Sequence, residues 1–299
     1  MKILSIKNPF GAPVYYEETV SSTFDVARVL AAGNEVHGTV ITADFQEAGR
    51  GRQGRPWAAE RGKSLLFTIL LRYDNFSSIP GLLTLRTGYS VSLAVEDMIP
   101  DLAGLIKIKW PNDIMITHKK GEAAFKKAEA AFKKAEAAFK KAAGILTETD
   151  GKLVYIGVGF NVAQAEFQED YCSGAVSLEQ VSPGLCDGAR FILLEKILSR
   201  LYEEIEKEKE AGQLHGGGHL PSEEWREALC KRLYKMNETV TFANGAASTA
   251  DAVGAVGAAG SGQLIEGTLS GIGKGGELLI IPCGEKTERA FVTGELRVY

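Results

Sequence analysis

β-Branched and apolar residues concentrate in "HGTVITADFQ" (37–46) and "KSLLFTILLRY" (63–73), a pattern that predicts two strands around a Gly/Arg-rich loop. Ahead of them, "SSTFDVARVLAAGN" (21–34) predicts a helix. A Ser/Thr pair opens it, Val26, Val29 and Leu30 share a face, and Gly33-Asn34 stops it. "LLTLRTGYSVSLAVEDMI" (82–99) has a helical period, and "RFILLEKILSRLYEEIEKEKEAG" (190–212) predicts a long amphipathic helix with a charged, solvent-facing end. "LIKIKWPNDIMI" (105–116) reads as a strand interrupted by Pro111, whose missing N–H stops ladder pairing, and "KLVYIGVGFNV" (152–162) as another strand. After the flexible "HGGGHLP" (215–221) comes a helix around Trp225. From about Glu238 short strands and turns take over, so the chain divides into a large unit, 1–235, and a small β unit, 236–299.

Two segments interrupt this plan. "NGAASTADAVGAVGAAGSG" (244–262) is Gly/Ala-rich with almost no charge or bulk and reads as a loop. Residues 122–142 are three perfect copies of EAAFKKA. Each copy has an i,i+4 Glu–Lys pair in the favourable order, and Phe125, Phe132 and Phe139 fall at heptad spacing. A straight helix of that length rises about 30 Å. Flanking strands, ending near Thr117 and restarting near Ala143, would lie about 5 Å apart in a hairpin. The "HKKG" before the repeat reaches about 14 Å at most. A single helix therefore cannot close that hairpin: the repeat breaks, one end frays, or the strands are not neighbours. Tandem expansion of one loop is the simplest reading, and a coiled-coil arm for a partner helix is its rival.

Composition narrows the class. The chain has 299 residues, 45% hydrophobic and 24% charged, enough for a real core. A net charge of −4 argues against a dedicated nucleic-acid binder. Cys172, Cys186, Cys230 and Cys283 are far apart and form no CxxC pair, which suits a reducing compartment. "MKILSIKNPFGAP" has no long apolar core and no run reaches the length of a membrane span, so a cytoplasmic location is expected.

Chemistry concentrates in "QEAGRGRQGRPWAAERGKS" (46–64). Its glycines let backbone N–H groups approach an anion, and its arginines can neutralise phosphate or carboxylate. Such a loop repels itself until an anion orders it, which would bring Trp57 down as a flat lid suited to stacking on a base. A solvated basic loop, or a patch for nucleic acid, is the plainer reading. "KWPNDI" (109–114) adds Lys109, a lone charge at a strand end, followed by turn-forming polar groups. His215 and His219 lie in a glycine-rich linker that cannot hold them on a helix face. "GIGKGG" (271–276) lacks a phosphate-loop ending and reads as a β-turn.

"GRGRQGRPW", "KWPND", "AGILTE" (143–148) and "GVGFNV" (157–162), in that order, resemble the biotin protein ligases from Val14 onward. The resemblance implies an α+β fold: a mixed β-sheet flanked by helices, followed by a small SH3-like β-barrel domain. It implies activation of biotin by ATP, with Mg²⁺, to biotinyl-5′-AMP, and transfer to a lysine of a biotin carboxyl carrier protein, such as a subunit of acetyl-CoA carboxylase. Carried over by motif, Ser22, Thr23, Phe24, Gln46, Gly49, Arg50, Gly51, Arg52 and Lys109 would contact biotin or the adenylate. Phe24 stands where relatives often have Asn, so it offers only backbone or apolar contact. Arg55 and Trp57 would meet phosphate and adenine, while Asn112, Gly144, Gly157, Gly159 and Asn161 complete the binding set. Lys109, Arg52, Asp113 and Lys141 would carry catalysis, with Asp113 either helping the acceptor lysine lose its proton or holding a metal. Lys127 and Lys134 occupy the place of Lys141 in the other repeats, but only Lys141 runs directly into Ala142-Ala143-Gly144.

The catalytic pattern begins too early to leave room for the N-terminal helix-turn-helix of bifunctional relatives, so no DNA or membrane partner is expected, and a homodimer stays open. The rivals are a lipoate or octanoate ligase on the same fold, whose family lacks the GRGRxGR loop, and a non-enzymatic binder of a carrier protein or nucleic acid.

Overall fold

The computed structural model describes residues 1–117, 139–167, 174–206, 220–245 and 263–297. Eight strands form the main sheet: β1 (Lys2–Ile3), β2 (Val14–Val20), β3 (Thr39–Gln46), β4 (Ser64–Arg72), β5 (Ile106–Lys109), β6 (Asp113–Ile116), β7 (Lys140–Asp150) and β8 (Leu153–Asn161). Their order is β1-β2-β3-β4-β8-β7-β6-β5. β2 and β3 run parallel and every other neighbouring pair is antiparallel. The parallel pair needs a crossover, which helix α1 (Thr23–Ala32) supplies.

Period-two alternation divides the sheet into two faces with different work. Ile41, Leu70 and Tyr155 pack under Phe24, Ala27 and Leu30 of α1. Phe67, Ile69, Ile145, Ile156, Val158 and Phe160 belong to the larger core, together with helices α2 (Leu83–Met98) and, after the short α3 (Leu178–Val181), α4 (Ala189–Ile205). α5 (Glu223–Cys230) follows. It leads into a second, antiparallel sheet of β9 (Thr239–Asn244), β10 (Gln263–Ile272), β11 (Leu278–Pro282), β12 (Arg289–Phe291) and β13 (Gly294–Leu296), in the order β12-β11-β10-β9-β13. The expected fold class is therefore borne out: a mixed sheet with helices and a small five-stranded C-terminal sheet consistent with an SH3-like domain.

The two sheets share apolar surface. Val240, Phe242, Ile265 and Leu269 lie in the same core as Ile106 and Ile108. Trp110 donates from Nε1 to Gly276 O at 2.9 Å, and its ring centre is 6.1 Å from that of Phe242. The free edge of β5 is covered by Arg232–Tyr234, through Ile108 N to Arg232 O and Tyr234 N to Ile108 O.

Most predicted elements hold, with three corrections. β2, "VYYEETV", is a strand that the sequence pattern did not single out; its Glu17 and Glu18 interrupt the apolar run. Residues 105–116 are a tight hairpin, Lys109 opposite Asp113, rather than one interrupted strand. The third repeat ends as strand, because β7 begins at Lys140, not near Ala143. There Lys140 and Lys141 pair with Ile116 and Met115, and Lys141 also bridges Ala175. Pairing on both sides outweighs a local helix preference of a few tenths of a kcal/mol per residue, and Ala142 becomes fully buried. The strands flanking the repeat are thus neighbours, and Phe139 packs edge-on against Tyr234 of its own chain. "GIGKGG" turns between β10 and β11, with Gly276 N donating to Gly273 O. The rest of the repeat, the Gly/Ala-rich stretch from residue 246, the end of the long helix beyond Glu206, and His215 and His219 lie outside the described residues.

Because the repeats are identical, removing any two units gives one and the same sequence and leaves a lysine in the place of Lys141. Deleting Glu122–Ala135 is expected to shift the thermal midpoint by less than about 4 °C, roughly 1 kcal/mol for a chain of this size. Thermal unfolding followed by circular dichroism checks it; a larger loss would show that the repeat supports the fold.

Candidate functional site

The α1 face of the sheet changes character where β7 and β8 cross it. Gly144 and Gly159 are register partners, with Leu66 next on β4; one step along, Leu146, Gly157 and Thr68 form the neighbouring row. The "GVGFNV" pattern puts its glycines on this face and its bulky residues in the core behind. The result is a bare floor on which two aromatic rings lie. A Cβ on Gly159 would sit 2.5 Å from the Trp57 indole, and one on Gly157 would sit 2.1 Å from the Phe24 ring. Above this floor opens a cleft of about 1020 Å³, lined by every site residue expected from the sequence.

One end of the cleft is the start of α1. Ser22 caps the helix, accepting from Phe24 N. Thr23 donates from both its N and its Oγ1 to Gln46 Oε1, at 2.8 and 3.0 Å, and Thr68 donates to Thr23 Oγ1 at 2.8 Å. This places a buried, correctly oriented polar group beside the apolar Phe24.

The Gly/Arg segment is folded into a small hairpin. Trp57 N donates to Gly49 O and Gly51 N to Arg55 O, and the tip turns through Gln53 and Gly54 at φ of 57° and 70°. Gly49 must be bare, since a Cβ would lie 2.8 Å from Trp57 O and 2.9 Å from Gln46 Nε2. The chain itself supplies partners for the arginines of this segment. Arg50 pairs with Asp25 at 2.8 Å, Arg52 donates to Asn112 Oδ1 at 3.0 Å, and Arg55 pairs with Glu295 at 2.9 Å.

At the opposite end of the cleft stands the β5–β6 turn. Asn112 anchors it by donating to Ile145 O. Lys141 Nζ is 2.8 Å from Asp113 and lies over the Trp57 ring. Asp113 is thus charge-matched within the chain. Asn161 donates to Val176 O and so ties down the segment beside Lys141. Lys109 is 7% exposed, with Glu295 4.0 Å away. Burial lowers the Lys109 pKa, and the nearby Asp113 and Glu295 charges oppose that shift. Arg52 is lowered by burial in the same way. Glu295 is held below the usual carboxylate range, chiefly by its hydrogen bonds from Arg55.

Known proteins resemble this chain in sequence and fold. Residues 18–161 match the Biotin/lipoate A/B protein ligase family. Over those residues, just under half of its length, the chain resembles that family. Its Bacillus spizizenii relative, the bifunctional ligase/repressor BirA, is 34% identical over 190 residues, covering 61% of this chain and 51% of that protein. The biotin–[acetyl-CoA-carboxylase] ligase of Mycobacterium tuberculosis is 32% identical, covering 63% and 60%. The chain thus spans about half the length of the first of these curated relatives. A biotin protein ligase from Aquifex aeolicus, solved in complex with biotin and ATP, superposes with a TM-score of 0.65 at 26% identity, covering 95% of this chain and 97% of that one.

The ligase-family match contains α1, the Gly/Arg loop, the β5–β6 turn and both glycine strands. It ends before the C-terminal sheet, yet that sheet sends Glu295 into the cleft. Sequence reasoning missed Glu295, which sits on a three-residue strand in no motif. It also missed Asp25; its one signal was an acid in the first turn of a helix that the Gly/Arg loop had to meet.

A buried lysine with a lowered pKa binds fewer protons in the folded than in the unfolded chain, between the two pKa values. Stability therefore rises with pH across that window, up to the ordinary lysine value. Lys109→Met removes the buried charge and leaves Glu295 with Arg55 and Asp113 with Lys141. Its stability is expected to equal or exceed that of the parent at neutral pH, with the difference shrinking as pH rises through that window. Urea unfolding of both proteins from neutral to alkaline pH measures this. A variant destabilised equally at every pH would contradict it.

Proposed function

We propose that this chain is a biotin protein ligase, which joins biotin to ATP as biotinyl-5′-AMP and passes the biotinyl group to a lysine of a biotin carboxyl carrier protein. One observation carries the reading: a bare glycine floor runs between a polar end, Thr23 with Gln46, and a cationic end made by Arg52, Lys109 and Lys141. In the first step a carboxylate oxygen bonds to the α-phosphorus and pyrophosphate leaves. Two anions must be held together while charge builds on the phosphoryl oxygens. Fixed cations in a partly dry cleft lower that barrier without reorganising. In the second step a neutral lysine amine attacks the acyl carbon and AMP departs.

Thr23 and Gln46 suit a head group that both donates and accepts hydrogen bonds, as a cyclic urea does. A plain alkyl or dithiolane head would cover the remaining hydrogen-bonding capacity of that edge without bonding to it. This favours biotin over lipoate or octanoate. Mg²⁺ enters as part of the nucleotide substrate; among the described residues no three His, Cys, Asp or Glu side chains gather to hold a resident ion. Residues 1–235 are the catalytic unit in this reading. The small unit, 236–299, contributes Glu295 as a counter-charge that holds Arg55 and faces Lys109.

Biotin-dependent exchange of labelled pyrophosphate into ATP tests the reading, with lipoate and octanoate run alongside. Exchange with biotin is expected to dominate. Folded protein that exchanges with lipoate alone, or with no acid, would overturn it. Arg52→Ala is expected to lower the biotin-dependent exchange rate by about a hundredfold or more while the fold persists.

A further inference from the structure

Phe24 closes one end of the cleft, and it is fixed from all sides. Its ring edge rests on the backbone of Gly157 so closely that no Cβ fits between them. Behind it pack Ala27, Leu30, Ile41 and Tyr155. Over its face lies the Arg50 guanidinium, 5.7 Å from the ring centre, and Arg50 is itself held by Asp25. Thr23, the preceding residue, turns its hydroxyl to Gln46 and Thr68, and Thr68 is the register partner of Gly157. A polar edge and an aromatic wall therefore meet at one point of the floor.

We propose that Phe24 is a specificity-determining residue, whose ring, clamped between Gly157 and Arg50, fixes the size of the acyl head that the cleft admits. The proposal rests on the reading of the cleft as a biotin-activating site. A compact fused ring can place its urea edge on Thr23 and Gln46 and its apolar side against Phe24. A straight-chain acid longer than biotin, such as dodecanoate, needs the volume that the ring fills. Truncating Phe24 opens that volume down to Gly157, where a methyl group could then be accommodated.

The test compares the intact chain with Phe24→Ala, Phe24→Met and the double variant Phe24→Ala/Gly157→Ala, using pyrophosphate exchange with biotin and with dodecanoate. Phe24→Ala is expected to lower the ratio of kcat/KM for biotin to that for dodecanoate by about tenfold or more, the scale of one or two methylenes in an apolar pocket. Adding Gly157→Ala refills part of the space and should recover part of the ratio. Phe24→Met, closer in volume, keeps the test open if Phe24→Ala does not fold, and its ratio should fall less. A ratio within about twofold of the parent in the folded variants overturns the proposal alone. A parent that shows no biotin exchange overturns the functional reading, and this proposal falls with it.

Discussion

Each arginine at the neck of the Gly/Arg hairpin is held by a group from a different element, and the cleft depends on that arrangement. Arg50 is held by α1 through Asp25, Arg52 by the β5–β6 turn through Asn112, and Arg55 by the C-terminal sheet through Glu295. Without those partners, three like charges within six residues would push the segment apart. With them, their repulsion becomes three tethers that aim the segment at one cavity. None of the three pairs is deeply buried, so each contributes little stability by itself. Their effect is geometric: they fix where Trp57 comes down on Gly144 and Gly159.

That landing place is set by strand alternation. On β8, Gly157, Gly159 and Asn161 share the α1 face while Ile156, Val158 and Phe160 fill the core, and Gly144 on β7 is brought beside Gly159 by register. A shift of one residue would put valine and phenylalanine into the cleft and glycine into the core. The large buried side chains therefore hold the floor in place from behind. This much was legible from residues 143–162 alone, because period two is a local rule. Most strands and the main helices followed from equally local signals, capping and turn residues, whereas the membership of the cleft followed from the resemblance to the biotin protein ligases.

What was not legible was set by contacts between distant segments. Lys140–Ala142 belongs to a unit that strongly prefers helix, yet pairing with β6 and residue 175 makes it strand. No local window contains those partners. Glu295 is 240 residues from Arg55, on a strand too short to stand out, and packing between the sheets, Trp110 against Phe242 included, carries it to the cleft. The Gly/Arg motif shows only the positive half of its charge network. The negative half is dispersed over Asp25, Asp113 and Glu295, which no spacing rule connects.

The dispersal has a consequence for the chemistry. Glu295 accepts from Arg55 at 2.9 Å and stands 4.0 Å from Lys109, so one carboxylate lies between two cations of the cleft. A phosphate entering there competes for the same cations, and any gain it makes is offset by loosening the Glu295 contacts. Binding at the cleft is therefore coupled to the C-terminal sheet through charge, even though that sheet lies outside the family match. The coupling is reciprocal: whatever holds β13 in place also sets how readily Arg55 and Lys109 can be given up to a ligand.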